Sequence, residues 1–145
     1  MRSDWLVPWA FVVALGCGPA AEGEKVSITQ LCKPAMSGKR VSVPGYFTAE
    51  GLLTMCSSRG GTKTCSFRLR DSAGNPKPDI GIGLKIGGGE SEMQELPEGF
   101  KSSDIKIKTV GGKVVGGRAH IQVTGKALVA EQSCQIIDID RIDAL

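Results

Sequence analysis

The stretch CSSRGGTKTCSFRLR, residues 56–70, decides the fold. Gly60-Gly61 sits between two runs of Ser, Thr and alternating apolar residues. Adjacent glycines accept the left-handed conformation that a two-residue hairpin turn needs at both central positions. With the turn there, residues whose numbers add to 121 face each other. Cys56 then lies opposite Cys65, as a non-hydrogen-bonded pair with Cα atoms ~4.5 Å apart, within disulfide reach. The same register sets Thr54 opposite Phe67 and Leu52 opposite Leu69. Alternation turns Phe67 and Leu69 inward and Ser66, Arg68 and Arg70 outward.

Outward from this hairpin the period-two pattern continues. A first strand runs from Arg40 to Cys56, with Gly45 and Gly51 marking bends or bulges. The second is Thr62 to Arg70, the third Asp79 to Ile86, the fourth Arg118 to Val129 and the fifth Cys134 to Asp140. Long helical patterns are absent and glycine is abundant, 20 of 145 residues, which predicts an all-β domain with tight turns. Val26 to Lys33 reads as a short helix stopped by Pro34, and Ser91 to Leu96 as another. Ile105 and Ile107 alternate with Lys106 and Lys108, so Asp104 to Val110 is a candidate extra strand. Glycines at 87–89 and 111–117 frame one insertion.

A long bent strand, a hairpin, a third strand, a helical connection and a final hairpin follow the OB-fold order. The strings VSVPGYF (41–47), FRLRDSAGN (67–75), IQVTGK (121–126) and IIDIDRI (136–142) resemble exported bacterial OB-fold (BOF-type) proteins. More remotely they resemble anticodon-binding OB domains. The resemblance implies a five-stranded OB-fold barrel with a short N-terminal helix and a helical or irregular insertion between strands three and four. Those families share no catalytic residues to carry over, so the expectation is a binding module, not an enzyme, without a cofactor.

The N-terminus gives an address. Leu6 to Leu15 is apolar, the length of a signal h-region and short of the ~20 residues that span a bilayer. Ala14-Leu15-Gly16-Cys17 resembles the bacterial lipoprotein signal, whose cysteine is lipidated and becomes the new N-terminus. The resemblance implies residues 1–16 as signal peptide, 17–25 as lipidated Cys17 plus tether, and 26–145 as the OB-fold domain. Gly18, rather than Asp, after the cysteine implies sorting to the outer membrane, on its periplasmic face. An ordinary secretory signal cut near Ala20 is the rival reading. Either way the four remaining cysteines enter an oxidising compartment. Removing 16 residues leaves 129 (145 − 16). The formal charge stays at +3, since Arg2 and Asp4 leave together. That mild charge does not by itself imply nucleic acid.

With Cys56 and Cys65 assigned by register, Cys32 and Cys134 are left to pair. Their bridge would tie the N-terminal segment to the last strand. No C-x-x-C occurs and His120 is the sole histidine, which argues against a metal site. His120 has no Ser or Cys nucleophile at recognisable spacing. Asp138, Asp140 and Asp143 form an acidic row that reads as a solvated edge facing a lysine, with Arg141 also at hand.

The candidate binding surface is the outer face of strands two and three: Arg68, Arg70, Gly81, Gly83 and Lys85, with Leu53 and Met55 from strand one. Bare glycine backbone lets a ligand approach, and guanidinium groups fork onto phosphate or carboxylate. A solvated face with two tolerated glycines is the plain alternative. The expected partners are the membrane, through the N-terminal lipid, and a protein or an anionic envelope ligand. Single-stranded nucleic acid ranks lower, because Tyr46, Phe47, Phe67 and Phe100 are the only aromatics left for stacking and Phe67 belongs to the core.

Overall fold

The structure, a computed structural model, describes residues 22–49, 56–87 and 91–145. Cys17, Leu53 and Met55 lie outside the described residues, as does the apolar segment before Cys17. Ten strands form one sheet: β1 (Glu24–Lys25), β2 (Arg40–Thr48), β3 (Cys56–Arg59), β4 (Thr62–Arg70), β5 (Asp79–Ile86), β6 (Glu92–Met93), β7 (Lys106–Lys108), β8 (Val114–Gly116), β9 (His120–Ala130) and β10 (Ser133–Ala144). The expected all-β class is what the chain adopts. Five strands pair in a cycle: β2 with β4, β4 with β5, β5 with β10, β10 with β9, and β9 with β2. All of these pairs are antiparallel except β5 with β10, which is parallel. The expectation of five strands is corrected to ten, because short strands extend the cycle on both sides.

The hairpin register is the one the turn dictates. Cys56 faces Cys65, their Cα atoms 4.0 Å apart, and Gly60 and Gly61 both carry positive φ, 58° and 82°. Beyond the hairpin the register changes. Leu69 faces Phe47, not Leu52, and Arg68 faces Thr48. Seven residues (49–55) separate the two ladder segments on one strand, against two (66–67) on the other. The turn fixed only the ladder next to it. Gly45 marks a close approach of β2 and β4: a Cβ there would stand 2.6 Å from Leu69 Cγ.

α1 (Ile28–Leu31) is the expected N-terminal helix, shortened to four residues. Ser27 and Gln30 form a capping box, and Ile28 and Leu31 are buried. The second expected helix, Ser91 to Leu96, is absent. Glu92–Met93 instead adds to β5 in parallel through the Ile86–Met93 pair. Met93 is fully buried and Leu96 packs against the core, and a six-residue segment is too short to hold a helix by itself. β7 confirms the extra strand, so the insertion is a small β meander of β6, β7 and β8.

The core is the interior of the cycle. Val41, Val43, Phe47, Phe67, Leu69, Ile80, Ile82, Leu84, Ile121, Val123, Ile136 and Ile142 are buried there. Ile105, Ile107 and Met93 extend it under the meander. Ser42 and Thr124 share a buried hydrogen bond of 2.8 Å, and no buried side-chain polar atom among the described residues lacks a partner. The second disulfide joins Cys32, just after α1, to Cys134 on β10.

Candidate functional site

Alternation along β4 and β5 places the expected side chains as the sequence predicts. Ile80, Ile82 and Leu84 are buried, while Arg68, Arg70, Gly81, Gly83 and Lys85 are on the outer side. The cross-strand pairs are Arg68 with Gly81, Ser66 with Gly83, Thr64 with Lys85 and Arg70 with Asp79. The outer face does not work as one unit. The structure divides it into two sites.

The first is a cleft of about 750 Å³. Its floor is Arg68 and Gly81. One wall is Lys77–Asp79, and the other is the β9–β10 turn, from Ala130 to Gln135, beside the Cys32–Cys134 bridge. Arg68 is not available here as a bare cation. Its Nε donates to Asp79 Oδ2 at 2.8 Å, and Lys77 Nζ donates to Oδ1 at 2.7 Å. The Asp79 side chain is only 11% exposed. The Arg68 hydrogen bond lowers its pKa from 3.8 to about 2, against the opposing effect of burial and with help from Lys77. With Glu131 also in the lining, two cations face two carboxylates. The expected basic floor is therefore a neutral, polar one. Gly83 and Lys85 lie farther along β5, outside the cleft lining.

The second site is a pocket of about 260 Å³ lined by Tyr46, Phe47, Thr48, Arg70, Ala73 and Arg118. Tyr46 is the Cα partner of Arg70 on one side and of His120 on the other. Its ring stacks on His120, with centroids 4.4 Å apart and planes 9° from parallel. Arg70 forms no ion pair among the described residues, since Asp79, directly across from it, is taken by Arg68 and Lys77. Arg118 holds a left-handed backbone, φ 70°, where glycine is the ordinary choice. Among the described residues no carboxylate lines this pocket. Sequence reasoning missed Arg118 and the Tyr46–His120 stack, because strands more than seventy residues apart bring them together. Gln132 and Gln135 in the cleft were missed as well, since the parallel pairing of β10 with β5 brings them beside Gly81 from more than fifty residues away.

Two members of the acidic row, Asp140 and Asp143, form ion pairs with arginines, not lysines. Arg40 binds Asp140 with two hydrogen bonds of 2.9 Å, and Arg141 binds Asp143 at 2.9 and 3.1 Å. No group of three His, Cys, Asp or Glu among the described residues is placed to hold a metal ion. No described helix is long and apolar enough to cross a membrane. Two disulfides are consistent with an extracytoplasmic location.

No family model matches the chain, and no curated protein does. Among solved structures the chain is similar to the "Crystal structure of a putative aspartyl-tRNA synthetase from Leishmania major Friedlin". The TM-score is 0.43 and the identity 8%, over 90% of this chain and 22% of that one.

Proposed function

We propose that the chain is a non-catalytic cell-envelope lipoprotein, anchored through Cys17, whose strand cycle is an OB-fold barrel that binds a protein partner or an anionic envelope ligand. The observation that carries this reading is the pairing order, with its single parallel pair between β5 and β10. Counting only the cycle, strand one pairs with two and four, two with three, three with five, and five with four. That is the connectivity of an OB barrel, and such barrels bind on the outer face of their second and third strands. β4 and β5 are those strands here. The neutral cleft suits a polar protein segment, and the Arg70 pocket suits an anion.

Photo-crosslinking in intact cells tests the reading. A photoreactive residue replaces Gln132 in the cleft, Ala73 in the pocket, or Gln94, which lines neither site. Adducts are expected from Gln132 or Ala73 and not from Gln94. Arg70→Glu should abolish the Ala73 adduct while stability changes by less than about 0.5 kcal/mol. Folded, exported protein that gives no adduct at either site would end the binding-module reading.

A second reading, an exported single-stranded nucleic-acid binder, is favoured by the Tyr46–His120 stack beside Arg70. It requires salt-sensitive binding of a labelled single-stranded DNA that Tyr46→Ala removes. Anisotropy that stays flat up to high protein concentration eliminates it.

A further inference from the structure

Four large apolar side chains are exposed among the described residues: Val110, Val114, Leu128 and Leu145. Two of them lie on one hairpin, Val110 in the β7–β8 turn, 42% exposed, and Val114 at the start of β8, 46% exposed. Charge concentrates in the same segment. Residues 101–118 carry five cations, Lys101, Lys106, Lys108, Lys113 and Arg118, against one carboxylate, Asp104, while on the adjoining strand Glu92 is the cross-strand partner of Lys108. That is a net +4, where the whole chain is +3. The rest of the chain is close to neutral.

The hairpin separates its two faces. Ile105 and Ile107 are buried in the core, and alternation sends Lys106 and Lys108 to the opposite side. Val114 is the cross-strand partner of Lys108. The tip is tied down. The Val110 N–H donates to the Ile142 carbonyl at 2.8 Å. The Thr109 N–H and hydroxyl both donate to the Lys113 carbonyl, at 2.8 and 2.7 Å. The two valines are thus held outward by an ordered turn.

Ile142, which anchors Val110, lies between the ion-paired Arg141 and Asp143. The first described residues lie along β2, where the Gly23 N–H donates to Ser42 Oγ at 3.2 Å and Glu24 pairs with Val41. From Glu22 to Cys17 the chain spans at most about 18 Å.

We propose that the β7–β8 hairpin docks on an anionic lipid bilayer, with Val110 and Val114 entering the headgroup layer and the flanking lysines meeting lipid phosphates. The proposal rests on the reading of Cys17 as a lipid anchor. A basic patch is the kind of second signal that turns a lipid anchor into firm, oriented attachment.

Spin labels at Val110→Cys, Val114→Cys and, as control, Leu128→Cys in the full chain test it. The protein is reconstituted in vesicles of phosphatidylcholine alone or mixed with phosphatidylglycerol, and oxygen accessibility reports depth. Labels at 110 and 114 should become immersed in the anionic vesicles only. High salt, or Lys106→Ala with Lys113→Ala, should return them to water, while the label at 128 stays aqueous throughout. Aqueous labels at 110 and 114 in anionic vesicles would overturn the proposal. So would equal immersion in neutral vesicles, or immobilisation without vesicles, which would assign the tip to a second copy of the chain. Mass spectrometry of the same sample reads Cys17 acylation independently, so loss of the anchor is told apart from loss of docking.

Discussion

Arg68 and Arg70 stand two residues apart on one face of β4, and their surroundings are opposite. Arg68 is fastened to Asp79, and the cleft above it is neutral. Arg70 shares its pocket with Arg118 and a tyrosine, and no carboxylate among the described residues lines it. Strand alternation settles which side a residue faces, but the neighbouring strand settles whether its charge is spent. Asp79 lies directly across from Arg70 yet reaches diagonally to Arg68. One aspartate divides a face that would otherwise be uniformly basic.

The two sites also depend on different parts of the fold, and the largest effect comes from separating them. The Cys32–Cys134 bridge forms part of the cleft wall and is absent from the pocket. It closes 102 residues of chain, against 9 for Cys56–Cys65. Loop-closure entropy ranks the long bridge first, about 4–5 kcal/mol against about 2.5–3. Cys32→Ala/Cys134→Ala should therefore lower urea stability more than Cys56→Ala/Cys65→Ala does. Hydrogen exchange should rise more at Glu131 to Gln135 than at Tyr46 to Thr48. Equal exchange at both places would mean the sites are not mechanically distinct.

A smaller change should erase the electrostatic difference. Asp79→Asn removes the partner that neutralises Arg68 and should cost about 1–2 kcal/mol at neutral pH. The sign with pH follows from the lowered pKa. A carboxylate at about 2 in the folded chain, against 3.8 ordinarily, contributes stability that is complete above about pH 5 and is lost as pH falls through 2. Wild type should lose more stability between pH 5 and pH 2 than Asp79→Asn does. Parallel pH curves would show that Asp79 does not hold Arg68 in solution.

Several of these features were legible in the sequence for physical reasons. Gly60-Gly61 is a two-residue turn, so its hairpin had one register, and Cys56–Cys65 followed from it. The cycle strands announced themselves by alternation, because each has one buried face. The Arg68–Asp79 pair was not legible. Eight residues, 71–78, join β4 to β5, and a loop of that length leaves the register open. Tyr46 beside His120 was hidden for a stronger reason, since no local rule relates strands so far apart. The Ser91 to Leu96 segment was misread because a two-residue strand carries too few residues to show a period.

The smallest expected effect is also the most discriminating, because it uses two glycines on one strand. Gly81 and Gly83 both face outward on β5, and neither has a positive φ. A Cβ at Gly81 would meet Gln135 Cβ at 3.4 Å and Arg68 Nη1 at 3.6 Å. A Cβ at Gly83 would meet only the Thr64 methyl, at 3.4 Å. These are ordinary contacts, so neither alanine forces the backbone to move. Each substitution should leave stability unchanged or raise it by up to about 1 kcal/mol, because alanine loses less conformational freedom on folding. Their consequences for binding should differ. The methyl at 81 rises from the cleft floor between Arg68 and Gln135, whereas the methyl at 83 lies outside the cleft lining. Gly81→Ala should therefore weaken the crosslink from Gln132 without unfolding the chain, and Gly83→Ala should leave it intact. Melting curves establish that both variants are folded. A crosslink that survives both alanines equally would mean that the partner never touches the bare backbone of β5. The partner would then be held by the β9–β10 wall of the cleft, around Gln132, and not by its floor.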